Sequence, residues 1–186
     1  MTHIHFNICT LNVHGLVPSE LRIAEISGGI AERSNADAPV LAGFTKVLAD
    51  GTHLPAGSDR TDHVAVIDHS TGLMWSVESL GSKEDADDGI TQEACEARCR
   101  ELNLLSVNDW RLPTRAELAA LVDDTRHEPA IDASLFPRVK PRWHWTSTPC
   151  AWSSASAWSV YFDDGSVSYG HRDSNGFALA VRRAGQ

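Results

Sequence analysis

Positive charge is what this sequence lacks most. Its 16 lysines and arginines stand against 25 acidic residues, a net charge of −9. Such a chain repels phosphate backbones and anionic headgroups, so direct nucleic-acid or membrane-surface binding is not expected. Long apolar runs are also missing: no stretch approaches the about 20 apolar residues of a membrane span. The first residues show no basic segment followed by an apolar one, so no secretion signal is read and a soluble, cytoplasmic protein is expected. Cysteine is scarce, at Cys9, Cys95, Cys99 and Cys150. Cys95 and Cys99 sit four apart in a helical pattern, where Cβ atoms stand about 5–6 Å apart. A disulfide needs about 3.8 Å, so the two do not bridge, and reduced thiols are expected throughout. No internal repeat is present.

What is there reads as mixed α and β structure. Residues 2–13 alternate, with Ile4, Phe6 and Ile8 on one parity and His3 and His5 on the other. Residues 21–26 and 40–48 are further apolar stretches, and 50–60 is a connection punctuated by Asp50-Gly51 and Pro55. Residues 1–60 therefore read as a small β-rich N-terminal segment, and residues 61–186 as a separate domain. Residues 63–68 predict a strand, 73–75 a short strand end, and 84–88 an acidic loop. Residues 91–103 predict a helix capped by Thr91, with Ala94, Cys95, Cys99 and Leu102 on one face. Thr114-Arg115-Ala116-Glu117 is a capping box that opens a second helix, burying Leu118, Leu121 and Val122. Trp158, Val160 and Phe162 share a core parity, Asp164-Gly165 signals a two-residue hairpin turn, and 177–181 suits a strand buried on both faces.

The region 143–176 is the most suggestive. It holds Trp143, Trp145, Trp152, Trp158, Tyr161 and Tyr169, while the whole chain has 6 Trp and 2 Tyr. Among them lie His171, Asp173, Ser174 and Asn175. Tyr and Trp give large contact area at low entropy cost, and Ser and Asn adapt their hydrogen bonds. The expected ligand-binding residues are Trp143, Trp145, Trp152, Tyr161, Tyr169, His171, Asp173, Ser174 and Asn175, set on an irregular surface before the last strand.

Several groups of residues resemble one family. They include Thr71-Gly72-Leu73-Met74-Trp75, Asp109-Trp110-Arg111-Leu112-Pro113-Thr114 with Glu117-Leu118, Trp145-Thr146-Ser147-Thr148, Trp158 to Gly165, and Val181-Arg182-Arg183. Over about residues 44–184 the chain is similar to the Lcl C-terminal domain family of bacteria and phages. The resemblance implies a C-type-lectin-like α+β fold, two helices flanking a small twisted antiparallel sheet. Its relatives in that superfamily include variable proteins of diversity-generating retroelements, whose variable positions fall in a place like 168–175. The resemblance also leaves open a phage particle or a host cytosol as the location.

A lectin calcium site needs six to eight clustered oxygen ligands. Glu128-Pro129-Ala130 and Asn108-Asp109-Trp110 depart from the familiar lectin triplets, and Asp163-Asp164 stands apart. His3, His5 and Cys9 have ligand-like types but no partner pair to complete a site, so no metal and no cofactor is expected. Cys150 with His144 nearby lacks the pattern of a covalent catalyst, and no catalytic residue is assigned. The expected function is a non-catalytic recognition module for a protein or glycan ligand. Two rivals stand beside it: an acidic phage-encoded inhibitor of a host defence protein, mimicking nucleic acid through residues 84–88, and an enzyme of unknown type.

Overall fold

A computed structural model describes residues 43–185. They belong to one compact unit. The strands expected within 2–13 and 21–26, with His3, His5 and Cys9, lie outside the described residues.

Strands β1 (Phe44–Val47), β2 (His53–Pro55), β3 (Ala65–Asp68) and β4 (Leu73–Ser76) form an antiparallel sheet in the order β2-β1-β3-β4, with the final strand β8 (Val181–Arg183) along β4. The domain boundary expected between residues 60 and 61 therefore falls inside one sheet. β1 pairs with β3 in full register, from Phe44 opposite Asp68 to Val47 opposite Ala65. The breakers at 50–60 mislead because they build a hairpin connection. Lys46, buried in the middle of β1, ties that connection down by donating from Nζ to the carbonyls of Ser58 at 2.7 Å and Arg60 at 3.1 Å.

β3 and β4 are buried on both faces, which explains why residues 64–67 and 73–75 are apolar without gaps. Val66, Leu73 and Trp75 enter one core with Leu118, Leu121, Phe136, Val160 and Phe162. Ala65, Ile67 and Met74, at the alternate positions, enter a second with Cys95, Cys99, Trp110, Leu112 and Trp145. Each core takes one helix. Helix α1 (Gln92–Arg100) starts at Thr91, whose hydroxyl accepts from the Ala94 amide, and it buries Cys95 and Cys99. Both cysteines are free thiols, as is buried Cys150. Burial raises the Cys95 pKa and pushes that of Cys99 up to about 12, so neither is a nucleophile near neutral pH.

Helix α2 (Arg115–Ala119) is short, and its start is held firmly. The Thr114 hydroxyl accepts from the Glu117 amide at 3.3 Å, and the Glu117 carboxylate accepts from the Thr114 amide at 2.8 Å, the expected capping box. Arg111 also grips both Glu117 oxygens, at 2.8 and 2.7 Å. That guanidinium pulls the Glu117 pKa down to about 2. Thr114→Ala is expected to lower stability by about 0.5–2 kcal/mol, and Glu117→Ala by more, because Arg111 loses its carboxylate as well. Melting temperatures of the two variants, ranked in that order, check the assignment; equal and unchanged melting would refute it.

The chain from Trp143 onward builds a second sheet, β5 (Trp143–Cys150), β6 (Ser153–Tyr161) and β7 (Val167–His171), antiparallel in that order. The hairpin read around Asp164-Gly165 is present as β6 and β7, and residues 143–150, expected to be irregular, are strand as well. The turn before β7 is longer than the two-residue hairpin expected. The Gly165 amide donates to the Tyr161 carbonyl and the Tyr161 amide to the Ser166 carbonyl, with Gly165 at φ +82°. Residues 177–181 are fully buried, and up to Ala180 they make isolated bridges instead of a continuous strand.

Candidate functional site

The β5–β6–β7 sheet has two differently furnished faces. Register places Trp143 opposite Tyr161, Trp145 and Ser168 opposite Ser159, and Gly170 opposite Ala157, all on the α1 side. His144 opposite Val160 and Trp158 opposite Tyr169 lie on the α2 side.

On the α2 side the sheet is longer than its helix. α2 covers the end that holds Val160 and Phe162, both fully buried. Beyond it, Trp158 is only half buried. There Trp152, Trp158 and Tyr169 meet edge to face in a three-ring cluster, with centroids 5.1 to 5.8 Å apart. Trp152 remains 61% exposed and Tyr169 53% exposed. The Arg115 guanidinium, from the first turn of α2, stands over the Trp158 ring at 4.4 Å, a cation–π contact. The Arg115 amide donates to the Thr148 hydroxyl at 2.9 Å, which fixes the turn from which that side chain extends. His171 continues the row along β7 and faces its neighbour Asp173, with Nδ1 and Oδ2 3.4 Å apart. Arg115 and Trp158 were not foreseen as site residues. Shared parity with Val160 and Phe162 put Trp158 in the core, but a five-residue helix is too short to cover it.

On the α1 side, Trp143 and Tyr161 stack with centroids 4.5 Å apart and planes 13° from parallel. Trp143 lines a groove of about 180 Å³ together with Trp145, Ser159, Ser168, Ser174 and Asn175. Trp145 corrects an expectation: it is 3% exposed and packs in the second core. Two glycines make room for it. A Cβ at Gly176 would lie 2.8 Å from the Trp145 Nε1, and one at Gly170 would lie 3.3 Å from its ring. Trp145 therefore supports the groove floor and offers a ligand no broad face. The expected residues divide accordingly. Trp152, Tyr169 and His171 share the α2 side, Trp143 and Tyr161 share the α1 side, and exposed Asp173, Ser174 and Asn175 form the turn after β7.

The serine–histidine contact nearest to a catalytic pair is sealed. His144 is fully buried, and its Nε2 lies 2.7 Å from the Ser79 hydroxyl. Nδ1 lies 2.8 Å from the Arg142 carbonyl. That carbonyl can only accept, so Nδ1 carries the ring proton and the Ser79 hydroxyl, which also accepts from the Lys140 amide at 2.8 Å, donates to Nε2. The imidazole is neutral, of fixed tautomer, and flanked by Phe162 and Phe177. Burial pushes its pKa down to about 4. In the unfolded chain a histidine titrates near about 6.5. Below that pH the unfolded state takes a proton that folded His144 refuses. The contribution of His144 is thus intact above about pH 6.5 and falls away by about pH 4, a loss of about 3 kcal/mol. Buried His63, whose pKa is also lowered by burial, acts in the same direction. Urea unfolding at pH 7, 6 and 5 should show falling stability, with a shallower slope in His144→Gln. A flat profile would contradict this assignment.

Among the described residues no group of three or more His, Cys, Asp or Glu is placed to hold a metal ion. Asp109, a calcium candidate in the sequence, is engaged by Arg182 at 2.5 and 3.1 Å. The acidic loop is partly tied down as well. Glu84 accepts from the Ser82 hydroxyl at 2.6 Å, and Asp87 pairs with Lys140. Among the described residues no helix is long and apolar enough to cross a membrane.

Arg111, Glu117 and the capping box, with Trp110 buried in the second core, give a structural role to the segment Asp109–Leu118. They belong to a domain whose helices brace a sheet that presents aromatic rings. Residues 64–182 match the Lcl C-terminal domain, and the chain belongs to that family. No curated protein matches the chain.

Proposed function

We propose that this chain is a non-catalytic recognition module of C-type-lectin-like fold that binds a protein or glycan through the aromatic cluster on the α2 side of β5–β6–β7. The observation that carries the proposal is the exposure of Trp152 and Tyr169 around Trp158 and Arg115. Packing needs no indole where more than half of it meets solvent, whereas rigid aromatics beside an arginine are the residue types that dominate binding surfaces. Exposed His171, Asp173, Ser174 and Asn175 add polar contacts at the rim. Substitution at these rim positions alters contact chemistry without reaching the core, which suits a surface diversified by a retroelement. The acidic-mimic reading is weaker, because Glu84 and Asp87 already have partners within the chain. The enzymatic reading is weaker too, because Ser79 and His144 face each other out of reach of a substrate.

A random peptide library and a glycan array, each screened against the immobilised protein, test the proposal. Binders recovered on the wild type should be lost on a Trp152→Ala/Tyr169→Ala double variant and kept when Glu84, Asp85, Asp87 and Asp88 are replaced by Ser. Binders that ignore the aromatic variant and vanish with the acidic one would favour the charge mimic.

A further inference from the structure

Each sheet of this domain has two edges, and among the described residues three of the four are protected. β8 exchanges hydrogen bonds with Arg111, whose amide donates to the Val181 carbonyl and whose carbonyl accepts from the Val181 amide, both at 2.9 Å. The outer side of β5 is met by Phe177, through Trp145 N–H to Phe177 O at 2.8 Å and Phe177 N–H to Trp143 O at 2.7 Å. β2 is three residues long and ends in Pro55, a usual way to blunt an edge. β7 has none of these devices. It runs Val167-Ser168-Tyr169-Gly170-His171, five residues without proline, lysine or a register shift against β6.

The hydrogen-bond phase of β7 is fixed by its two ends. The Tyr161 amide donates to the Ser166 carbonyl, and the Arg172 amide donates to the Ala155 carbonyl. Ladder bonds alternate, so Ser166, Ser168, Gly170 and Arg172 point their backbone groups toward β6. Val167, Tyr169 and His171 point theirs away from it. The same three side chains are exposed, Val167 at 41% and Tyr169 at 53%.

We infer that β7 is the self-association edge of this protein: two copies join antiparallel through β7, about a two-fold axis at Tyr169, into one continuous six-stranded sheet. The array is self-complementary: an antiparallel pair centred on Tyr169 matches each outward N–H with a C=O of the second copy, the His171 carbonyl, which already accepts from the Ser174 amide at 2.9 Å, taking the Val167 N–H on its second lone pair. Tyr169 then meets Tyr169, and Val167 meets His171. Charge favours a second copy over a charged peptide. The strand carries no carboxylate, lysine or arginine, in a chain whose net charge is −9, so the copies approach where their mutual repulsion is least. The axis also brings Arg172 of each copy toward the acidic turn, Asp163-Asp164, of the other, while Asp173 faces its own His171. Because the axis is perpendicular to the sheet, both Trp152–Trp158–Tyr169 clusters lie on the same face. The dimer is thus a bivalent platform for the recognition proposed above, although its formation does not depend on that reading.

Sedimentation velocity over a concentration series tests this with the full chain, alongside two variants. Val167→Pro removes an outward N–H and leaves every bond to β6. Tyr169→Cys, in a Cys9→Ser background, places the only self-opposed position under an oxidant, with Ser154→Cys as the control on β6. The wild type should pass from monomer to dimer as concentration rises. Val167→Pro should stay monomeric with an unchanged near-ultraviolet dichroism spectrum, and Tyr169→Cys should cross-link where Ser154→Cys does not. A wild type that stays monomeric, a dimer that survives Val167→Pro, or Tyr169→Cys that fails to cross-link would each overturn the inference. A monomer whose Tyr169 amide is protected from hydrogen exchange would overturn it in favour of another segment of the same chain on that edge.

Discussion

Trp110→Ala is expected to lower the folding stability by about 3–5 kcal/mol, the range for truncating a buried aromatic. Trp110 is 1% exposed and sits in the second core with Cys95, Cys99, Leu112 and Trp145. Its Nε1 donates to the Leu104 carbonyl at 3.3 Å, which ties the loop after α1 to the core. Arg182 stands 5.9 Å from the ring centroid and is held by Asp109, so the truncation also disturbs that ion pair. Trp75→Ala should cost as much from the opposite side of the same sheet, since Trp75 is 1% exposed in the first core. Domains of this size have about 5–15 kcal/mol in hand, so either variant approaches global unfolding near body temperature. Trp152→Ala is the comparison: the same deletion at the surface should stay within about 1 kcal/mol. Urea midpoints of the three variants decide the matter. Similar losses at Trp110 and Trp152 would show that the division into core and surface aromatics is wrong.

The second large effect is on binding. Trp152→Ala and Tyr169→Ala should each weaken a ligand recovered on the wild type by about tenfold or more, as hot-spot truncations do. The rings brace one another edge to face, so the two losses should be less than additive. Arg115→Ala removes the cation over Trp158 and leaves the rings in place. It should weaken anionic ligands more than neutral ones, with a difference that shrinks as salt rises. Isothermal titration of the variants provides these numbers. Unchanged affinity at both Trp152 and Tyr169 would remove the cluster from the binding account.

The local signals in the sequence were those whose cause is local. The Thr114–Glu117 capping box and the Thr91 cap follow from hydroxyls and carboxylates within one turn, and both are present. The spacing of Cys95 and Cys99 placed them together on the buried face of α1 without a disulfide. The family match extends over 64–182, in keeping with the resemblance carried by Asp109–Thr114 and its companions. What was not legible depended on distant partners. Breakers between β1 and β3 looked like a domain boundary, because nothing local shows that Phe44–Val47 pairs with Ala65–Asp68. The alternation that buries Val160 and Phe162 continues to Trp158, and only the length of α2 decides where cover stops. Trp145 looked like its exposed neighbours in composition, yet Gly170 and Gly176 open a seat for it in the core. Arg115 belongs to a helix far from β6 in sequence, so its place over Trp158 had no sequence signal.

The most direct test of the recognition face is the set of indole N–H signals in a proton–nitrogen correlation spectrum, recorded while a ligand from the library or array is titrated in. The chain has 6 tryptophans, and they sort into exposed, half-buried and core positions. The account predicts that Trp152 and Trp158 shift progressively and saturate together, while Trp75 and Trp110 stay fixed. Saturating shifts confined to backbone amides of residues 84–88, with Trp152 and Trp158 unmoved, would contradict it.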